Sequence, residues 1–399
     1  MKKLICTLFI FTLLYPTLHT HATTPPSYQS ASVLIMHADT AEIIYETNGF
    51  TFRYPASITK VMTALLVLEH IQEQASRGEN DIDYYLNRRV RFSAHAVDIP
   101  YYASRMGILE GETITVLEAL YGIMLPSGNE VARALAEYVS GSVPAFVARM
   151  NERASQLGAT NTRFINPCGL PGDGQYVLAY DVSLIMHEAI QHPVFVRIIS
   201  TPYFTLSATE IHREPRLLRN TNRMIRPSEP EYNRHVIGGK TGFTNAAQHT
   251  LVSYARRDDH RIIVTVMYAP RGVTFTDTAA LMDYAFELLD AREAEKQASF
   301  EQKVENFLAA RERAVIYALA IQERLQRESE EAHALPPPSI LPLAATLDVP
   351  PDDEYCMLTM ICFLQQNNAG EDNTRVLPIV IIVLVLGMLV VGGRLIRRQ

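Results

Sequence analysis

A serine and a lysine stand three residues apart in Tyr54-Pro55-Ala56-Ser57-Ile58-Thr59-Lys60-Val61-Met62-Thr63. A serine hydroxyl attacks a carbonyl only when a base takes its proton. A lysine amine can be that base only if its pKa, about 10.4 when free, falls by roughly 3 units, or about 4 kcal/mol. Burial, a neighbouring positive charge and the positive end of a helix dipole all push it down. The sequence offers such a place. Pro55 cannot continue a helix backward. Val61, Met62, Ala64, Leu65, Leu66, Val67 and Leu68 then form a run too dense in apolar residues for a surface helix. On a buried helix starting near Ser57, residues i and i+3 share a face, so the Lys60 amine reaches the Ser57 hydroxyl. Taken alone, Ser-x-x-Lys is equally served by a helix cap and a surface lysine. It is expected by chance about once or twice in a chain this long at average composition.

Two further motifs change that balance. Ser127-Gly128-Asn129 follows, then Lys240-Thr241-Gly242. The three come in the order used by penicillin-binding proteins and serine β-lactamases. Longer strings narrow the match: Met124 to Glu130, Asn166 to Pro171 and Gly239 to Thr244 resemble the low-molecular-weight D-alanyl-D-alanine carboxypeptidases. The resemblance spans about Ser30 to about Leu289.

It implies a role for each residue. Ser57 is the nucleophile toward the D-Ala-D-Ala end of a peptidoglycan stem peptide, and Lys60 is its base. Ser127 relays the proton to the departing amine. Asn129 bonds the substrate amide and Lys60. Lys240 adds positive charge, Thr241 donates to the substrate carboxylate, and Gly242 allows close backbone approach. The N–H groups of Ser57 and Phe243 form the oxyanion hole. Arg271, a few positions earlier than the arginine relatives carry, is the candidate for the terminal carboxylate. β-Lactams, which mimic the D-Ala-D-Ala end, are expected to acylate Ser57. The same motifs serve a D,D-endopeptidase that cuts crosslinks, a β-lactamase, or a non-catalytic peptidoglycan-binding protein. Class A β-lactamases activate water with a glutamate on a loop after the second motif. The matching residues, Thr162 to Asp173, contain none.

The elements that position these groups are legible by period and punctuation. Ser32 to Met36 and Glu42 to Tyr45 predict two strands. From Ser57 to about Ile199 the signals are mostly helical, with helices over Val116–Leu125, Glu130–Val139 and Pro144–Leu157. Asp181 is predicted to cap a further helix running through Ile190. Val236–Gly242, His249–Tyr254 and Arg261–Tyr268 predict three strands, and Thr276–Leu289 a closing helix. Strands at both ends of the chain imply one sheet assembled from distant parts, read as mixed. The expected class is α+β. The family resemblance makes the sheet antiparallel, flanked by helices, with the site at its seam with an all-helical subdomain.

The ends carry other signals. The chain has 399 residues, 48% of them hydrophobic, and a net charge of −7, a balance that argues against nucleic acid. No Gly-rich phosphate loop or Cys/His cluster of metal spacing occurs, so no cofactor or metal is expected. Residues 1–22 have the pattern of a signal peptide, and 28–290 are the expected catalytic domain. Residues 291–333 predict a charged helix where many relatives have a β-rich second domain. Residues 334–375 predict a Pro-rich linker. Residues 376–393, about 27 Å as a helix, are uncharged and predict a membrane span. Arg394, Arg397 and Arg398 then place the 394–399 tail in the cytoplasm and the catalytic domain outside. Of the cysteines beyond the signal, Cys356 and Cys362 could pair, and Cys168 has no accompanying base motif. The sequence carries no signal for oligomeric state.

Overall fold

The computed structural model describes residues 24–334. The predicted signal peptide, most of the linker, Cys356 and Cys362, the predicted span and the tail lie outside the described residues. In chain order the elements are β1 (Ser32–His37), β2 (Ile43–Thr47), a 3-10 turn (Ala56–Thr59), α1 (Lys60–Arg77), α2 (Ile82–Leu86), β3 (Arg89–Arg91), α3 (Ala94–Val97) and β4 (Thr113–Thr115). Next come α4 (Val116–Met124), α5 (Asn129–Ser140), α6 (Val143–Gln156), α7 (Ala179–Ala189), α8 (Pro193–Ile199), β5 (Tyr203–Leu206), β6 (Arg216–Arg219) and a second 3-10 turn (Arg223–Ile225). The last are β7 (Val236–Thr244), β8 (Gln248–Arg257), β9 (His260–Ala269) and α9 (Thr274–Ala334). A first compact unit ends at Ala309 and a second begins at Ala310. The described part of the second unit, 310–334, is helical, and its side chains, where described, are exposed.

The main sheet of the first unit has the order β2-β1-β9-β8-β7. Every pairing in it is antiparallel, which corrects the mixed sheet read from connectivity. β7, β8 and β9 form a meander, and the N-terminal pair then adds to the free edge of β9. The two apolar faces explain why β1 reads as an unbroken apolar run. Val33 and Ile35 point to a cluster with Ile262, Val264, Leu281 and Phe286 on the side of α9. Leu34 and Met36 point to the other side, where α1, α4, α5 and α7 supply Leu65, Leu120, Leu135 and Met186. Strands alternate sides with period two, so a sheet covered on both faces needs apolar residues at every position.

Local chemistry sets the helices around the site. α4 starts in a capping box, with Thr115 accepting from the Glu118 N–H and the Glu118 carboxylate reaching back to Thr115. α5 ends at Gly141 in the left-handed conformation (φ 74°). α9 is longer than read: the predicted closing helix and the predicted charged helix are one element. No glycine or proline interrupts residues 274–334, and nothing else there breaks a helix. Two short antiparallel pairs were not delimited in the sequence: β3 with β4 lies in the mostly helical region, and β5 with β6 in the stretch after Thr201 where the pattern turns to strands.

Candidate active site

Ser57 does not begin an α-helix as predicted. It lies in the 3-10 turn Ala56–Thr59, and α1 starts at Lys60 itself. Ala56, the first residue of that turn, has a positive φ of 49°. In a 3-10 turn side chains at i and i+3 eclipse, so the expected pairing survives: Lys60 Nζ is 3.0 Å from Ser57 Oγ. Ser57 is half-buried and Lys60 is fully buried.

Lys60 Nζ has two other partners, Asn129 Oδ1 at 2.7 Å and the Cys168 carbonyl at 2.8 Å. Both can only accept. A neutral amine has two N–H groups and one lone pair; the two acceptors take the N–H groups, and the lone pair faces the serine hydroxyl. Burial brings the amine pKa down to about 8, with Cys168 and Glu130 pulling weakly the other way. Desolvation thus brings this amine toward the range in which a lysine can act as a base.

Cys168 contributes its backbone, a function no sequence motif announced. Its thiol is buried and its pKa is raised by burial, the opposite of an activated nucleophile. Asn166 shapes the loop: its Oδ1 accepts from the N–H of Cys168, Gly169 and Leu170, and its Nδ2 donates to the Leu170 carbonyl. Thr63 Oγ1 donates to the Pro167 carbonyl at 2.7 Å and ties the loop to α1. Gly169 permits the approach. It has φ 85°, and a Cβ there would stand 1.7 Å from the Ala56 carbonyl oxygen. Gly169→Ala is therefore expected to displace either Ala56 or the Cys168 carbonyl. A loss of more than about 2 kcal/mol of stability is expected in denaturant melts, with slowed acylation in the protein that still folds. A variant with wild-type stability and rate would contradict this reading of the loop.

Ser127 and Asn129 sit between α4 and α5. Ser127 is strained, with φ 67°. Its buried Oγ has no hydrogen-bond partner among the described residues. The loop is fixed around it: Gly128 N–H donates to the Gly122 carbonyl at 2.9 Å and Asn129 N–H to the Ser104 carbonyl at 3.0 Å. Glu130 accepts from the N–H groups of Met106 and Gly107.

β7 closes the other side. Gly242 touches the nucleophile, since a Cβ there would lie 2.8 Å from the Ser57 nitrogen. Lys240 is fully buried and its Nζ donates to the Thr241 carbonyl at 2.9 Å. Burial, then the nearby Lys60, lower its pKa well below the ordinary lysine value. Thr241 Oγ1 bonds Thr221 Oγ1 at 2.6 Å, a partner the sequence did not indicate. Phe243 is exposed and packs on His249, ring centroids 4.5 Å apart. Arg271 lies close enough to His249 for its charge to help lower the His249 pKa, after burial. Of the residues read from sequence, Ser57, Lys60, Asn129, Lys240 and Gly242 thus form one contiguous cluster. Thr241 and Phe243 lie on β7 beside them, Arg271 follows β9 near His249 rather than bonding any of the cluster, and Ser127 is joined through its loop.

A family model described as D-alanyl-D-alanine carboxypeptidase matches residues 19–271. The chain belongs to the D-alanyl-D-alanine carboxypeptidase family. Among relatives, it is 31% identical over 295 residues to the D-alanyl-D-alanine carboxypeptidase DacF of Bacillus subtilis, covering 72% of this chain and 71% of that protein. It is 30% identical to DacB2 of Mycobacterium tuberculosis, covering 66% of this chain and 84% of the other. Among solved structures, the DD-transpeptidase of a Streptomyces strain matches with a TM-score of 0.59 and 27% identity, over 66% of this chain and 99% of that one. In this D-alanyl-D-alanine carboxypeptidase family member, Lys60 bonds both Ser57 and Asn129.

Asp181 requires a correction. It does not occupy the expected cap: α7 begins at Ala179 with Leu178 in the cap position. Asp181 sits inside the first turn, where its carboxylate accepts from the Asn161 N–H and the Thr162 hydroxyl. It ties the preceding loop to α7, and burial raises its pKa.

Proposed function

We propose that the chain is a serine-type D-Ala-D-Ala carboxypeptidase that removes the terminal D-alanine of peptidoglycan stem peptides and is acylated by β-lactams. The observation that carries this is the Lys60 amine, whose two donors are spent on Asn129 and Cys168 and whose third bond is to Ser57. The Ser57 proton passes to Lys60 as Oγ attacks the carbonyl between the two D-alanines. The N–H groups of Ser57 and Phe243 stabilise the oxyanion; one such donor is typically worth about 3 to 4 kcal/mol. The proton reaches the departing D-alanine amine through Ser127 as the C–N bond breaks. Water then hydrolyses the ester on Ser57. Without a glutamate in Thr162–Asp173, the second step has no dedicated base of the class A β-lactamase kind. Penicillin should therefore inhibit rather than be turned over.

Release of D-alanine from a D-Ala-D-Ala pentapeptide, compared with cleavage of a crosslinked muropeptide, tests the reading. Free D-alanine from the pentapeptide supports it, and cleavage of the crosslink alone makes the protein an endopeptidase. Rapid hydrolysis of penicillin would make it a β-lactamase.

The buried Lys240 gives a second expected result. A substrate carboxylate beside it restores an opposite charge and raises its pKa. Binding of a D-Ala-D-Ala peptide to the Ser57→Ala protein near neutral pH should take up protons. Calorimetry in buffers of different ionisation enthalpy reads the sign, and proton release would contradict the placement of Lys240.

The catalytic unit is proposed to work outside the membrane. The support is the uncharged run 376–393 and the arginines that follow it. Protease added to intact cells should digest residues 24–334; full protection would refute this topology.

A further inference from the structure

The loop between α3 and β4 leads into the site and is clamped along its length. Arg105 donates to the carbonyls of Ile99 and Pro100, each at 3.1 Å. Arg133 donates to the Asp98 carbonyl, and Arg216 donates to the Gly107 carbonyl at 2.9 Å. The Ser104 carbonyl receives the N–H of Asn129, the residue that holds the catalytic amine. On this fixed loop Tyr101 is 92% exposed and Tyr102 70% exposed. Their rings meet edge to face, with centroids 5.5 Å apart. Full burial of a large apolar side chain contributes about 1.5 to 3 kcal/mol, so two rings held in water do nothing for the fold. Fixed, adjacent and exposed aromatic rings suit a ligand surface.

We propose that Tyr101 and Tyr102 form a subsite for the sugar rings of the glycan strand that carries the stem peptide. This rests on the carboxypeptidase reading. A stem peptide of about five residues spans at most roughly 17 Å. With its D-Ala-D-Ala end at Ser57, the sugar that bears it must lie on the rim of the same cleft. A sugar ring has an apolar C–H face and a rim of hydroxyls, and a tyrosine has an apolar face and a hydroxyl tip. The stem peptide's small and acidic residues offer an aromatic face much less, and its single diamino residue, which could reach one ring, is absent from stem-free glycan. The tyrosines therefore select glycan-linked substrate over free peptide.

The test uses the full-length protein in detergent, with Tyr101→Ala/Tyr102→Ala and Tyr101→Phe/Tyr102→Phe variants. D-Alanine release is measured on a soluble pentapeptide and on uncrosslinked glycan strands bearing pentapeptides. Binding to stem-free glycan is measured in parallel. For the alanine pair, kcat/KM on glycan-linked substrate is expected to fall about five- to tenfold. Turnover of free pentapeptide and labelling by penicillin should stay unchanged, stem-free glycan binding should be lost, and the phenylalanine pair should recover most of the difference. Equal loss on both substrates, or no loss on either, overturns the proposal. If the wild type releases D-alanine from neither substrate yet binds stem-free glycan through the tyrosines, the subsite stands and the carboxypeptidase reading fails.

Discussion

Ser57→Ala is expected to abolish D-alanine release, with a fall in kcat of about a millionfold, as when a nucleophile is removed from a serine peptidase. The protein should remain folded, because Ser57 is only half-buried and its hydroxyl bonds Lys60 alone among the described residues. Lys60 keeps its bonds to Asn129 and Cys168 in the variant, so the amine is not orphaned. Substrate binding should persist with little change in affinity. Measuring turnover and peptide binding on the same preparation separates a chemical defect from a folding one. Residual turnover within a hundredfold of wild type would mean that another group performs the attack.

Lys60→Met is expected to slow acylation by roughly 10²- to 10⁴-fold, the usual contribution of a positioned base. Methionine approximates the length of the stem and lacks the lone pair. The pH profile gives the sign. The active form is the neutral amine, which dominates above the pKa of about 8. The acylation rate of the wild type should fall about tenfold per pH unit below that value and level off above it. A rate independent of pH between 6 and 9, measured with a chromogenic or labelled penicillin over about that range, would remove Lys60 from the role of base. Arginine cannot substitute, since a guanidinium stays protonated at every accessible pH.

The sequence made much of this site legible, because the chemistry needs side chains of particular type at particular spacing. Ser57, Lys60, Asn129 and Lys240 were singled out by their motifs, and Lys60 bonds both Ser57 and Asn129. Strands β7, β8 and β9 were read within a few residues, because buried β-branched and aromatic runs bounded by turn residues leave few alternatives. The acceptor from Cys168 was hidden for a physical reason. A backbone carbonyl has no residue identity, so the Asn166 and Gly169 that aim it were visible only as a matching string. Thr221 was hidden because its contact with Thr241 joins distant segments. The Asp181 misreading came from capping preference: aspartate favours both the cap and the first turn, and only the fold shows that its partners lie on the loop before α7. The short pairs β3–β4 and β5–β6 contain too few residues to display a period. The continuity of α9 follows from the absence of any breaker, a signal present in the sequence but divided at a change in composition.

In this mechanism the Ser57 oxygen, activated by Lys60, forms the covalent bond. Peptide mass spectrometry of the protein after brief exposure to benzylpenicillin tests it directly. One penicilloyl adduct is expected, on the peptide containing Ser57, absent from Ser57→Ala and strongly reduced in Lys60→Met. An adduct on Ser127 or Cys168 instead, or none at saturating penicillin, would contradict it.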